Sequence, residues 1–65
     1  MMYFPDFGDV VTYQGEQDVI IAVVYTLSDV EPGKRPLFFG DDRNRPGRTV
    51  WGYVDTIIEV NGGTI

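Results

Sequence analysis

The sequence predicts a small all-β domain, a barrel or sandwich of short strands, and three observations lead to that class. Glycine and proline recur at short intervals (Pro5, Gly8, Gly15, Pro32-Gly33, Pro36, Gly40, Pro46-Gly47, Gly52, Gly62-Gly63), which leaves no room for an amphipathic helix. The segments between them are rich in Val, Ile, Thr, Tyr and Phe, side chains that fit a pleated surface. Apolar residues alternate along several of these segments, the period of a strand with one buried face.

The first strand is expected at Asp9–Gln14, with Val11 and Tyr13 on one face. A turn follows at residues 14–17, where Gly15 suits a positive φ. The second strand, Val19–Leu27, carries Val19, Ile21, Val23, Tyr25 and Leu27 on one face and Ile20, Ala22, Val24 and Thr26 on the other. Two apolar faces imply a central strand bent through the core or one covered by a second subunit, so self-association is expected. Residues 28–36 form a polar loop with Pro32-Gly33 as its turn. A short third strand spans Pro36–Gly40, a second loop Asp41–Arg48, and a fourth strand Thr49–Val54. Val54–Ile58 reads as a tight 3₁₀ turn before a closing strand at Glu59–Asn61. The whole is one domain over residues 1–65, with 1–6 and 62–65 expected to fray.

At 65 residues the chain lies near the lower limit for folding without staples, and it has no cysteine to form one. Its 43% hydrophobic content and nine aromatic residues must supply the core. The N-terminus lacks the basic and apolar stretches of a signal peptide. The longest apolar run, Val19–Tyr25, is too short to span a bilayer. A cytoplasmic protein without a membrane segment is expected. Net charge is −5, unevenly spread. Residues 1–33 hold six acids and no base, whereas all five bases (Lys34, Arg35, Arg43, Arg45, Arg48) fall within residues 34–48.

The order of parts resembles a known architecture. Gly8-Asp9-Val10-Val11-x-Tyr13-x-Gly15, a strongly apolar second strand, and Val50-Trp51-Gly52-Tyr53-Val54 leading through a turn to Ile58-Glu59-Val60 are similar to SH3-like barrels, KOW-type modules among them. The resemblance covers about residues 7–61 and implies a five-stranded barrel with one 3₁₀ turn before the last strand. One enzyme family of this layout, the plasmid-borne type II dihydrofolate reductases, carries a Val-Gln-Ile-Tyr motif on its closing strand. Here Val50-Trp51-Gly52-Tyr53 keeps only the flanking residues, and the first strand reads Val11-Thr12-Tyr13-Gln14 without that family's lysine. That activity is therefore not expected.

Other chemistry is closed off residue by residue. Without histidine or cysteine, Ser28 and the threonines lack an activating base, and thiolate or imidazole metal sites are ruled out. Lys34, the single lysine, sits in a polar loop where a depressed pKa is not expected. Asp41 and Asp42 lie beside arginines that would keep them ionised. A calcium loop starting at Asp42 fails, because Pro46 and Tyr53 fall where ligands are required. No phosphate-cradling motif is present. Neither an enzyme nor a cofactor or metal site is expected.

Binding is what remains. Thr49, Trp51 and Tyr53 share one face of the fourth strand, opposite Val50, Gly52 and Val54. With the aliphatic face inward, Trp51 and Tyr53 form an aromatic ledge beside Asp41, Asp42, Arg43, Arg45 and Arg48. Aromatic residues with arginine serve both protein hot spots and single-stranded nucleic-acid platforms. The plainer alternative is an indole that closes the barrel mouth or an oligomer interface, with arginines that are solvated or paired to nearby acids. The sequence thus predicts a protein-binding adaptor or inhibitor, of the compact acidic kind typical of bacteriophage or mobile elements. Its alternatives are a nucleic-acid-binding domain or an oligomeric connector subunit.

Overall fold

The computed structural model describes residues 3–64 and is all-β. Its strands are β1 (Val10–Gln14), β2 (Val19–Ser28), β3 (Leu37–Asp42), β4 (Thr49–Tyr53), β5 (Ile57–Val60) and β6 (Gly63–Thr64), with a 3₁₀ turn at Val54–Thr56. They form one antiparallel sheet in the order β4-β3-β2-β1-β5-β6. No described helix is long and apolar enough to cross a membrane.

Side-chain alternation explains which face is buried. Val11 and Tyr13 of β1, Ala22 and Val24 of β2, Phe38 of β3 and Val50 of β4 point to the same side, where Val54 and Ile57 join them as the core. The rings of Tyr13 and Phe38 meet edge-to-face at its centre, 4.9 Å between centroids. Val50, Gly52 and Val54 do face inward, leaving Trp51 and Tyr53 on the other side.

The long β2 strand departs from simple alternation. Val24 pairs with Gly40 but Thr26 pairs with Phe39, so Tyr25 is an extra residue in a β-bulge. Parity flips there, and Leu27, expected on the face of Ile21 and Val23, instead packs against the core opposite Phe38. Close approach at the bulge requires Gly40, since a Cβ there would lie 2.5 Å from the Val23 carbonyl oxygen. A second irregularity leaves Ile58 unpaired between Glu59 and Ile57 on β5, and its side chain is exposed.

The sheet is curved but not closed, a correction to the expected barrel. β4 and β6 are its two edges. The register explains why β4 stays open. Thr49, Trp51 and Tyr53 turn their backbone groups away from β3, and side chains rather than a strand meet two of the carbonyls. Tyr13 Oη donates to the Trp51 carbonyl (3.3 Å) and Thr56 Oγ1 to the Tyr53 carbonyl (2.6 Å).

Residues near both ends of the described chain make specific contacts, while residues 1, 2 and 65 of the segments expected to fray lie outside the described range. Pro5 is buried, and the Asp9 carboxylate accepts from the Asp6 amide, the Tyr3 hydroxyl and the Asn61 side chain. Asn61 and Gly62 both have positive φ (51° and 84°), the pattern of a two-residue hairpin turn that pairs β6 with β5. The closing strand consequently ends before Asn61 and a sixth strand follows.

Candidate functional site

The aromatic ledge is built by the β3–β4 hairpin. Pairing of Phe39 with Trp51 and Leu37 with Tyr53 sets both outward rings on β4. Trp51 is 54% exposed and Tyr53 half-buried. Their rings meet edge-to-face, 5.5 Å between centroids at an interplanar angle of 82°.

Tyr53 is in turn held by a residue outside the expected set. The Arg35 guanidinium lies over its ring, 3.7 Å from the centroid, and donates two hydrogen bonds of 2.8 Å to the Asp55 carboxylate. These bonds hold Asp55 below the usual carboxylate range and raise Arg35 above its ordinary value. Asp55, Arg35, Tyr53 and Trp51 thus form a continuous stack along the outer face. Its presence is legible only from the hairpin register, which sets residue 35 across from residue 55 once Leu37 faces Tyr53.

The loop between β3 and β4 divides the other expected residues into two groups. Asp42 is not on the surface: it is 3% exposed and organises the loop from within. Its carboxylate accepts the Asn44 amide (2.9 Å) and an Arg45 guanidinium N–H (3.1 Å). The Asn44 bond first, then Arg45 and the charge of Arg48, hold it below the ordinary carboxylate value against the opposing effect of burial. Its buried position follows from β3 parity, because Phe38, Gly40 and Asp42 all face inward. Asp41, Arg43 and Arg48 are exposed, as is Arg45 despite its tether to Asp42. Among the described residues, Arg43 and Arg48 make no ion pair, whereas Lys34 reaches Asp29 and Glu31.

β4 also forms one wall of an open cleft of about 980 Å³. Its lining includes Arg45 and Arg48 from the β3–β4 loop and Glu16 and Asp18 from the turn between β1 and β2. Tyr13, Ile20 and Gly52 also belong to the lining. Gly15, in the turn between β1 and β2, does not adopt the expected positive φ. Glycine is required there because a Cβ would lie 2.8 Å from both the Asp18 carbonyl oxygen and Ile20 Cδ1. Burial, and then the negative charge of Asp42, push the Tyr13 phenol up, so it is a neutral donor at physiological pH.

Trp51, Tyr53, Arg45 and Arg48 therefore converge at one edge of the sheet, while Asp42 is structural and Arg43 lies outside the cleft lining. No family model matches the chain, and no curated protein or solved structure matches it significantly.

Proposed function

We propose that the chain is a non-catalytic binding module of the SH3-like type, an adaptor or inhibitor that captures a protein partner through Trp51, Tyr53 and the adjoining basic loop. The strand order β4-β3-β2-β1-β5 with a 3₁₀ turn between β4 and β5 supports the architectural part. The functional part is carried by Trp51, an indole more than half exposed yet held at a fixed angle against Tyr53. Such a ring loses little rotamer freedom on docking, and tryptophan, tyrosine and arginine dominate interface hot spots. An origin in a phage or mobile element and a cytoplasmic location belong to the same proposal.

Trp51→Ala with Arg48→Ala tests it, since both side chains are exposed and the pair leaves the Asp42–Arg45 tether intact. A tagged wild-type chain should retain a discrete protein from host lysate after nuclease treatment, and the double variant should lose it with an unchanged circular dichroism spectrum. Retention by both would overturn the assignment.

A second reading, single-stranded nucleic acid, draws on one observation: Arg48, which lines the cleft together with the exposed Trp51, makes no ion pair among the described residues. The net charge of −5 opposes it at long range. Binding that weakens steeply with salt would favour it, and capture indifferent to salt would remove it.

A further inference from the structure

Of the two edges in the described sheet, β6 spans two residues and β4 five. Sheet edges that face water are commonly blunted by a charge, a proline or a bulge. β4 has none of these. Thr49-Val50-Trp51-Gly52-Tyr53 is uncharged and free of proline, and its register with β3 runs without a shift.

The backbone of this edge is half used. At the two ends of the hairpin, the Asp42 amide donates to the Arg48 carbonyl and the Val54 amide to the Pro36 carbonyl. Counting in twos from these pairs, Val50 and Gly52 bond to β3, whereas Thr49, Trp51 and Tyr53 aim their amides outward. Those amides recur at roughly 7 Å intervals, the spacing of alternate residues in a strand. Beyond the edge, none of the three finds an acceptor among the described residues. The Trp51 and Tyr53 carbonyls receive the Tyr13 and Thr56 hydroxyls, but each carbonyl oxygen keeps a second lone pair.

All five residues of β4 line the open cleft. Charge favours one kind of occupant there. Asp42 and Arg45 are paired with each other, which leaves Glu16 and Asp18 against Arg48 in the lining of a chain of net charge −5. Neither Glu16 nor Asp18 forms an ion pair among the described residues.

We infer that the protein partner is held as an extended segment that adds to β4 as a further strand, its carbonyls accepting the Thr49, Trp51 and Tyr53 amides. Its basic side chains answer Glu16 and Asp18. Alternate residues of the segment share the outer face with the Trp51 and Tyr53 rings and are apolar. This rests on the partner-binding reading above and specifies its mode, recognition through a sheet edge.

The probe is a capped peptide of alternating lysine and valine, titrated into the full isotope-labelled chain and followed by NMR. The Thr49, Trp51 and Tyr53 amides should shift most, and their hydrogen exchange should slow as peptide is added. Thr49→Pro removes the first amide of the row at a strand end on an open edge, where proline is tolerated. It should weaken the peptide roughly five- to tenfold, the loss of one hydrogen bond. Glu16→Lys, or a glutamate–valine peptide on the wild type, should also bind more weakly. Unshifted edge amides at millimolar peptide, or a folded Thr49→Pro chain that binds as well as the wild type, would overturn strand addition; the wild-type exchange data decide it even if that variant misfolds. Equal binding of the glutamate–valine peptide would overturn the basic segment. Protection of the same amides by raised protein concentration alone would put a second copy there instead. Lysate capture that needs Trp51 but ignores Thr49→Pro would remove the added strand and leave the partner-binding reading standing.

Discussion

The ring of Tyr13 lies where a side chain at Gly52 would stand. A Cβ at residue 52 would fall 2.7 Å from Tyr13 Cε2 and 3.0 Å from Phe38 Cζ. The same tyrosine reaches past Gly52 to donate its hydroxyl to the Trp51 carbonyl at 3.3 Å. Core packing, the open edge of β4 and the backbone beneath the exposed indole are joined through this pair.

Gly52→Ala should therefore destabilise the fold by about 1–3 kcal/mol, the usual cost of overpacking a filled core. The atoms in the way belong to two rings packed against each other, not to a free side-chain end. Urea unfolding followed by circular dichroism measures it, and an unchanged midpoint would show that Tyr13 can move aside.

Tyr13→Phe keeps the ring and removes only the hydroxyl, leaving the Trp51 carbonyl without this donor. The expected loss is about 0.5–1.5 kcal/mol, that of one hydrogen bond. Faster hydrogen exchange in β4 than in β1 should accompany it, because β4 is an edge strand whereas β1 is paired on both sides.

Phe38→Ala should cost about 3–5 kcal/mol. Phe38 is fully buried at the centre of a core whose other members are mostly valines. A domain of this size has little stability to spare, so the variant should be largely unfolded by its NMR amide dispersion.

Three aspartates set the acid limb of stability. Asp9 is held below the ordinary carboxylate range by the Asp6 amide first and then by Asn61. Asp42 is held there by the Asn44 amide and Arg45, and Asp55 by Arg35. A lowered folded pKa contributes stability above the unfolded value and loses it as pH falls through the folded one. The urea midpoint should thus fall on acidification below about pH 4, and Asp42→Asn should make that fall shallower. A midpoint that rises on acidification would contradict the assigned hydrogen bonds.

Removing the guanidinium over Tyr53 should loosen the ledge without unfolding the domain. Arg35→Ala leaves the core untouched, because Arg35, Asp55 and the outer face of Tyr53 all lie outside it. Lower steady-state anisotropy of Trp51 fluorescence is the expected readout, with partial recovery in Arg35→Lys, which keeps the charge but not the paired bonds. Unchanged anisotropy would mean that Tyr53 alone holds the indole.

Most of the ledge was readable in advance. Alternation along Thr49–Val54 sets Val50 and Gly52 inward and Trp51 and Tyr53 outward, and the structure agrees. Asn61-Gly62 is a strong two-residue hairpin sequence, and it turns the expected tail into β6. Asp42 is different, since beside Asp41 and Arg43 it reads as a solvated loop residue. Only the inward run of Phe38, Gly40 and Asp42, with the strand extending two residues past Gly40, reveals that it is buried.

The chain alone carries its class, the places where most strands are interrupted, and the inward and outward faces of β1 and β4, because a period of two and the φ preferences of glycine and proline act over a few neighbouring residues. The bulge at Tyr25 that turns Leu27 inward, the clasp of Arg35 on Tyr53 and Asp55, and the edge of β4 left to Tyr13 and Thr56 had to wait for the assembled sheet. Each depends on the offset at which distant segments pair. That offset is set by the balance of packing and hydrogen bonding over the whole sheet, to which no single segment holds the key.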